Sequence, residues 1–159
     1  MSKIRGRGEA VRNFILANVK EHPSDIVKIA MAKFECSRQA IHKHIQHLIE
    51  EGAVTEAGTT RNKRYALAPL VECDLSFEID PQLAEDIVWD REVAPKLGLM
   101  ADNVKSIWYY GFTEIFNNAI DHSSGTHISV HISKTAAETE IAILDNGVGI
   151  FKKIQHALG

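Results

Sequence analysis

The chain has 159 residues, 45% hydrophobic and 25% charged, enough for one medium domain or two small ones and too ordinary a balance for wholesale disorder. No run approaches the roughly 18 apolar residues of a membrane span, and the basic start MSKIRGRGEAVR lacks the apolar stretch of a signal peptide. The two cysteines, Cys36 and Cys73, fit neither a metal spacing nor a disulfide framework, so the sequence reads as a cytoplasmic protein with no membrane partner.

The net charge of −3 conceals an asymmetry. Residues 1–68 hold 12 Lys and Arg against 7 Asp and Glu, and residues 69–159 hold 6 against 14. Such a split predicts two modules with different partners. In the first, GEAVRNFILANVKEH places Val11, Phe14, Ile15 and Val19 on one helical face. Pro23 breaks that helix, and Ser24 is the expected N-cap of the next, DIVKIAMAKF. Ser37 then caps a third helix, RQAIHKHIQHLIEEG, ended by Gly52. Ile41, Ile45 and Leu48 form its buried stripe, with Gln39, Lys43 and Gln46 opposite and His42 and His47 on the flanks. His44 is expected at the core edge. With three histidines on one helix, read as having no acidic or thiol companion, no metal site is expected there. AVTEAG, a TTRNK tip and RYALAP follow as a two-stranded hairpin.

Three helices followed by a basic hairpin resemble the winged helix-turn-helix fold of bacterial regulators. That resemblance implies a third helix in the major groove and a hairpin tip on the DNA backbone or minor groove. Ser37, Arg38, Gln39, His42 and Lys43 would carry the helix contacts, and Arg61, Lys63 and Arg64 the phosphate contacts. Winged helices also serve as protein-docking modules, so a protein partner stays open as the alternative.

Past residue 70 the texture changes. Leu75, Phe77 and Ile79 alternate with Ser76, Glu78 and Asp80, a short strand. Asp80 followed by Pro81 signals an N-cap and first helical position, and the helix is expected to stop near Pro95. A second helix is expected from about Val104. Rotation by about 100° per residue puts Trp108, Phe112, Ile115 and Ala119 on one side, and Glu114, Asn117, Asn118 and Asp121 almost opposite. No Lys or Arg occurs between Ser106 and Ser133, and two successive asparagines weaken a helix. HISVHIS and ETEIAILD read as two strands around KTAAE; DNGVG reads as a strand-to-helix turn leading into IFKKIQHAL.

Glu114-x-x-x-Asn118-Ala119 is similar to the N box of the GHKL ATPases, the superfamily of gyrase, MutL, the large heat-shock chaperone and histidine kinases. Asp145-x-Gly147-x-Gly149 is similar to its G1 box. The resemblance covers roughly residues 104–151 and implies an ATP site holding Mg²⁺. Asn118 would offer its amide oxygen to the metal, and Glu114 would act on an attacking water. Asp145 would accept from the adenine amino group. Gly147 and Gly149 would let the backbone approach the nucleotide. Asp121 also falls within the N box, as does His122, without a fixed role.

Together the resemblances imply an α+β protein: a winged helix-turn-helix over 1–69, and over 70–159 the N-terminal part of a histidine-kinase-like ATPase domain, an incomplete Bergerat-type α/β sandwich. The chain stops at Gly159, ahead of the family's lid and second glycine-rich segment. Truncation is therefore expected, with weak or undetectable ATP binding by this chain alone. The function expected is an ATP-responsive transcriptional regulator. The rivals are a protein kinase of the anti-sigma-factor type acting on a regulatory partner, and a DNA-binding protein whose ATPase half has decayed. A homodimer is left open.

Overall fold

The computed structural model describes residues 2–59 and 62–147, with side chains from residue 6 onward. Three helices come first: α1 (Ser2–Asn18), α2 (Ile26–Phe34) and α3 (Arg38–Glu50). Val11, Ile15 and Val19 meet Ile26, Ala30, Ile41, Ile45 and Leu48 in one buried cluster, because each helix repeats its apolar residues every three to four positions. α1 starts well before the expected GEAVR stretch. Arg7 fastens its first turns by donating from Nη2 to the Phe34 carbonyl at 2.6 Å, a tertiary tie that offsets the poor helix propensity of Gly6 and Gly8.

The second helix begins one residue later than its sequence suggests. Its N-cap is Asp25, not Ser24, and no side chain caps it. Pro23 and Ser24 lie in a turn, and the Asp25 carboxylate pairs with His22 Nδ1 at 3.1 Å instead. For α3 the expectation holds: Ser37 Oγ accepts from the Ala40 amide at 3.3 Å. Gly52, at φ +71°, closes the helix as Ala53 N–H reaches back to the Leu48 carbonyl at 2.8 Å, the left-handed termination that glycine permits.

Strands β1 (Val54–Ala57) and β2 (Arg64–Leu67) pair antiparallel, Val54 facing Leu67 and Glu56 facing Tyr65. Tyr65 carries the hairpin into the core and donates its N–H to the Pro23 carbonyl at 2.8 Å.

The chain divides into two compact units between Leu70 and Val71, with Lys134–Glu138 grouped with the first. The second unit holds β3 (Val71–Glu78), a segmented helix, α6 (Asp102–His122), β4 (His127–Lys134) and β5 (Thr139–Asp145). The sheet order is β3-β4-β5. Ile79 N–H donates to the Thr126 carbonyl at 2.8 Å, joining the end of β3 to the start of β4; the four-residue β4–β5 turn likewise requires antiparallel strands. Both units therefore combine helix with antiparallel sheet, an α+β composition.

Two boundaries differ from expectation. Asp80 does not cap a helix: its carboxylate accepts from the Gln82 N–H at 2.6 Å in a turn, and helix begins only at Glu85. Pro95 does not end it either. α4 (Glu85–Val88) passes into a π-turn (Trp89–Val93) and then α5 (Ala94–Leu97), stopped by Gly98 at φ +70°. In the π-turn Ala94 N–H reaches back to Trp89. The ladder changes register where Pro95 has no N–H to give, so the proline is accommodated.

The core of this unit is Val88, Trp89, Val93, Leu97, Phe112, Phe116, Ala119 and the inward residues of β4, Ile128, Val130 and Ile132. Phe116 stacks on Phe112 at 5.2 Å and meets Phe77 edge-on at 5.7 Å.

Candidate functional site

In the second unit α6 and β5 face one another, and the stripe of α6 that they share is not the expected one. Phe112, Phe116 and Ala119 are buried, Trp108 is half-buried, and Ile115 is 55% exposed. Phe116 takes the core position because it, rather than Ile115, meets Phe77 of β3. Ile115 is left facing a cavity of about 370 Å³ lined by Ile115, Asn118, Ala119, His122, Ser123, Ile143 and Asp145. On α6 these positions recur at i, i+3, i+4 and i+7, a single helical stripe.

The two motifs thus contribute one side chain each to one cavity: Asn118 from α6 and Asp145 from the end of β5. Glu114 and Asp121 do not line it. Each stands one residue ahead of a lining position, Ile115 or His122, so each lies on the adjoining flank and is exposed. Gly149 lies outside the described residues, as does the IFKKIQHAL stretch.

The turn after β5 is held by hydrogen bonds that the sequence reading missed. Asn146 Oδ1 accepts from the amides of Thr126 at 2.8 Å and His127 at 3.0 Å, and its Nδ2 donates to Thr126 Oγ1 at 3.1 Å. Asp145 Oδ1 accepts from Gly147 N–H at 2.9 Å. Ser123, the buried polar side chain at the end of α6, accepts from Gly125 N–H at 2.9 Å. A Cβ on Gly147 would strike the Ser123 backbone, at 2.6 Å from its carbonyl carbon. The end of α6 therefore imposes a need for glycine here directly. The DNG spelling was the available signal, read only for its aspartate and glycine.

In the first unit Gln39, His42 and Lys43 line a cleft of about 340 Å³ between α3 and the hairpin, together with Gln46, Glu56, Lys63 and Tyr65. Arg38 and Arg64 are exposed and do not line it. Ser37 is occupied as the cap of α3. Arg61 lies outside the described residues. Lys63 is not a free cation: its Nζ donates to Glu56 Oε2 at 2.8 Å, which raises the ammonium's pKa. Glu56 was not singled out from sequence, because the cross-strand register that brings it near Lys63 is a tertiary fact. His44, packed against α1, has its pKa lowered by burial first and then by Arg12 and His47.

On the outer face of the second unit's sheet, His131 sits between two carboxylates, with Nδ1 at 2.8 Å from Asp74 and Nε2 at 3.3 Å from Glu72. The Asp74 hydrogen bond raises its pKa, with further contributions from Glu72 and Glu140. Among the described residues no group of three His, Cys, Asp or Glu side chains could hold a metal ion, and no helix is long and apolar enough to cross a membrane. Family models, curated proteins and solved structures contain no match to this chain.

Proposed function

We propose that the chain is an ATP-responsive DNA-binding regulator, in which the first unit is a winged helix-turn-helix and the second is part of a Bergerat-type, histidine-kinase-like ATPase domain. The observation that carries the nucleotide half is the meeting of Asn118 and Asp145 in one cavity. They belong to motifs 27 residues apart in the sequence, and nothing local brings them together.

The cavity's chemistry suits a magnesium nucleotide in two respects. Ile115, Ala119 and Ile143 offer apolar walls to a purine, beside the Asp145 carboxylate, and a volume of this size falls within the range of cofactor pockets. Among the described residues no Lys or Arg lines it, and a divalent cation would balance phosphate charge there, with Asn118 offering an amide oxygen. A three-ligand protein cluster is not required, since Mg²⁺ is commonly held by one or two side chains plus phosphate oxygens. When bound there, Mg²⁺ would supply charge neutralisation for the phosphates. Asp145 would fix the base by accepting from its exocyclic amine. Glu114, one turn before Asn118 on the adjoining flank, is the carboxylate available to orient a water.

The DNA half is supported by the amides, imidazole and ammonium that α3 and the hairpin present along one cleft. Gln39 and Lys43 suit base edges and phosphates, and Arg38 of α3 and Arg64 of β2 are further exposed cations. ATP binding would then shift the population of DNA-competent molecules.

Both halves are tested by titration. Fluorescence anisotropy on random duplex DNA should show binding that weakens with salt, and replacing Arg61, Lys63 and Arg64 together should weaken it on every sequence and flatten the salt slope. NMR titration with Mg-ATP should shift Asn118, Ile143 and Asp145 resonances. Shifts elsewhere only would remove the cavity from consideration. Transfer of labelled phosphate from ATP to a protein would replace the regulator reading with a kinase.

A further inference from the structure

We propose that Asn146 is a positioning residue of the cavity: its side-chain amide ties the turn after β5 to the start of β4 and thereby aims the Asp145 carboxylate at the amino group of an adenine. This rests on the nucleotide reading above. Asn146 makes four hydrogen bonds to one dipeptide. Oδ1 takes the amides of Thr126 and His127, Nδ2 donates to Thr126 Oγ1, and the Asn146 main-chain N–H donates to the His127 carbonyl at 3.2 Å. The two main-chain donors require an acceptor oxygen on the Asn146 side chain, whereas the hydroxyl can accept from an N–H or donate to a carboxylate, so aspartate keeps the contacts that alanine loses.

The consequence falls on the residue before it. Asp145 Oδ1 is engaged by Gly147 N–H, and among the described residues Oδ2 has no hydrogen-bond partner. That free oxygen belongs to a cavity-lining side chain. The direction of the carboxylate is set by the turn, and the turn is fixed on one side by Asn146 and on the other by Gly147 lying against the Ser123 backbone. A recognition group held by such a supporting layer discriminates by geometry, and loosening it degrades discrimination before it abolishes binding. The selectivity at stake is that of one charge-assisted hydrogen bond, about tenfold at a partly exposed site.

The test is an NMR titration of the ¹⁵N-labelled full chain with ATP and with purine riboside triphosphate, which lacks the 6-amino group. Wild type is expected to favour ATP about tenfold. Asn146→Ala should bind both nucleotides alike, and its Gly147 amide proton should lose the downfield shift given by a carboxylate hydrogen bond. Asn146→Asp, which keeps both acceptor contacts, should restore preference and shift. A purely structural role would lower stability without changing the ATP preference. An Asn146→Ala protein that is folded, still prefers ATP and keeps the Gly147 shift overturns the proposal. If wild type shows no preference while the Gly147 shift still depends on Asn146, it is the adenine reading that fails, and the proposal falls with it. Should Asn146→Ala not fold, Thr126→Val removes the partner of Asn146 Nδ2, together with the Thr126 Oγ1–His127 Nδ1 contact at 2.9 Å, and keeps both main-chain amides on Oδ1; a reduced preference supports the proposal and an unchanged one overturns it.

Discussion

On the DNA-binding reading proposed above, replacing Glu56 by Gln should strengthen DNA binding, and the ion pair it breaks gives the size of the effect. Glu56 Oε2 holds Lys63 Nζ at 2.8 Å, inside the cleft lined by Gln39, His42 and Lys43. Neutralising the carboxylate removes a repulsive charge and frees one ammonium for phosphate. One additional neutralised phosphate steepens the slope of log K against log salt by about 0.9. Over a fourfold rise in salt, from about 50 to 200 mM, that amounts to about a 3.5-fold change. The gain of Glu56→Gln over wild type should therefore be largest at low salt and shrink about 3.5-fold across that range. Both residues are substantially exposed, so the substitution should leave the fold unaltered. Anisotropy on random duplex DNA over a salt series measures it, with Glu56→Gln/Lys63→Ala as the control in which the gain disappears. Parallel salt plots for wild type and Glu56→Gln would show that Lys63 does not meet phosphate. Weaker binding by Glu56→Gln would mean that the carboxylate itself contacts DNA.

Three further outcomes follow from the packing and electrostatics. Phe116→Ala empties a fully buried site flanked by Phe112 and Phe77, and should cost about 3–5 kcal/mol; both tryptophans, Trp89 and Trp108, lie in the second unit, so their fluorescence in urea reports its unfolding. Ser37→Ala removes the cap of α3 and should cost about 1 kcal/mol, measurable by circular dichroism on thermal unfolding. His131 has a folded pKa raised above 6.5 by Asp74. Its ion pairs therefore stabilise fully below pH 6.5, and that contribution is lost as pH rises through the raised value. The unfolding midpoint of wild type should fall across that window, whereas His131→Gln should be flat there.

How much was legible in advance follows from the range of each interaction. The helix faces Val11-Ile15-Val19 and Ile41-Ile45-Leu48, the Ser37 cap, Gly52, and the alternation of Ile128, Val130 and Ile132 are settled within a few residues of chain. Periodicity and capping chemistry therefore suffice to read them. Asp80 and Ser24 were misread because a carboxylate or hydroxyl before a helical pattern serves a turn as readily as a cap, and the choice lies with what surrounds it. Pro95 was misread because one π-turn can shift the ladder past a residue that has no N–H.

The sequence by itself determined which residues could do chemistry: an amide and a carboxylate in two spaced motifs, and a basic helix and hairpin. Tertiary structure decided which of them meet. Phe116 rather than Ile115 packed on the sheet, so α6 turned Asn118 and His122 toward the cavity and left Glu114 on the flank. Register across β1 and β2 set Glu56 opposite Tyr65, which brought Lys63, two residues before Tyr65, within reach of its carboxylate, and Asn146 secured the turn that carries Asp145. Helical phase is fixed by which large side chain wins the core, and cross-strand neighbours by pairing; both are energies of contact between distant segments, which a local pattern does not contain.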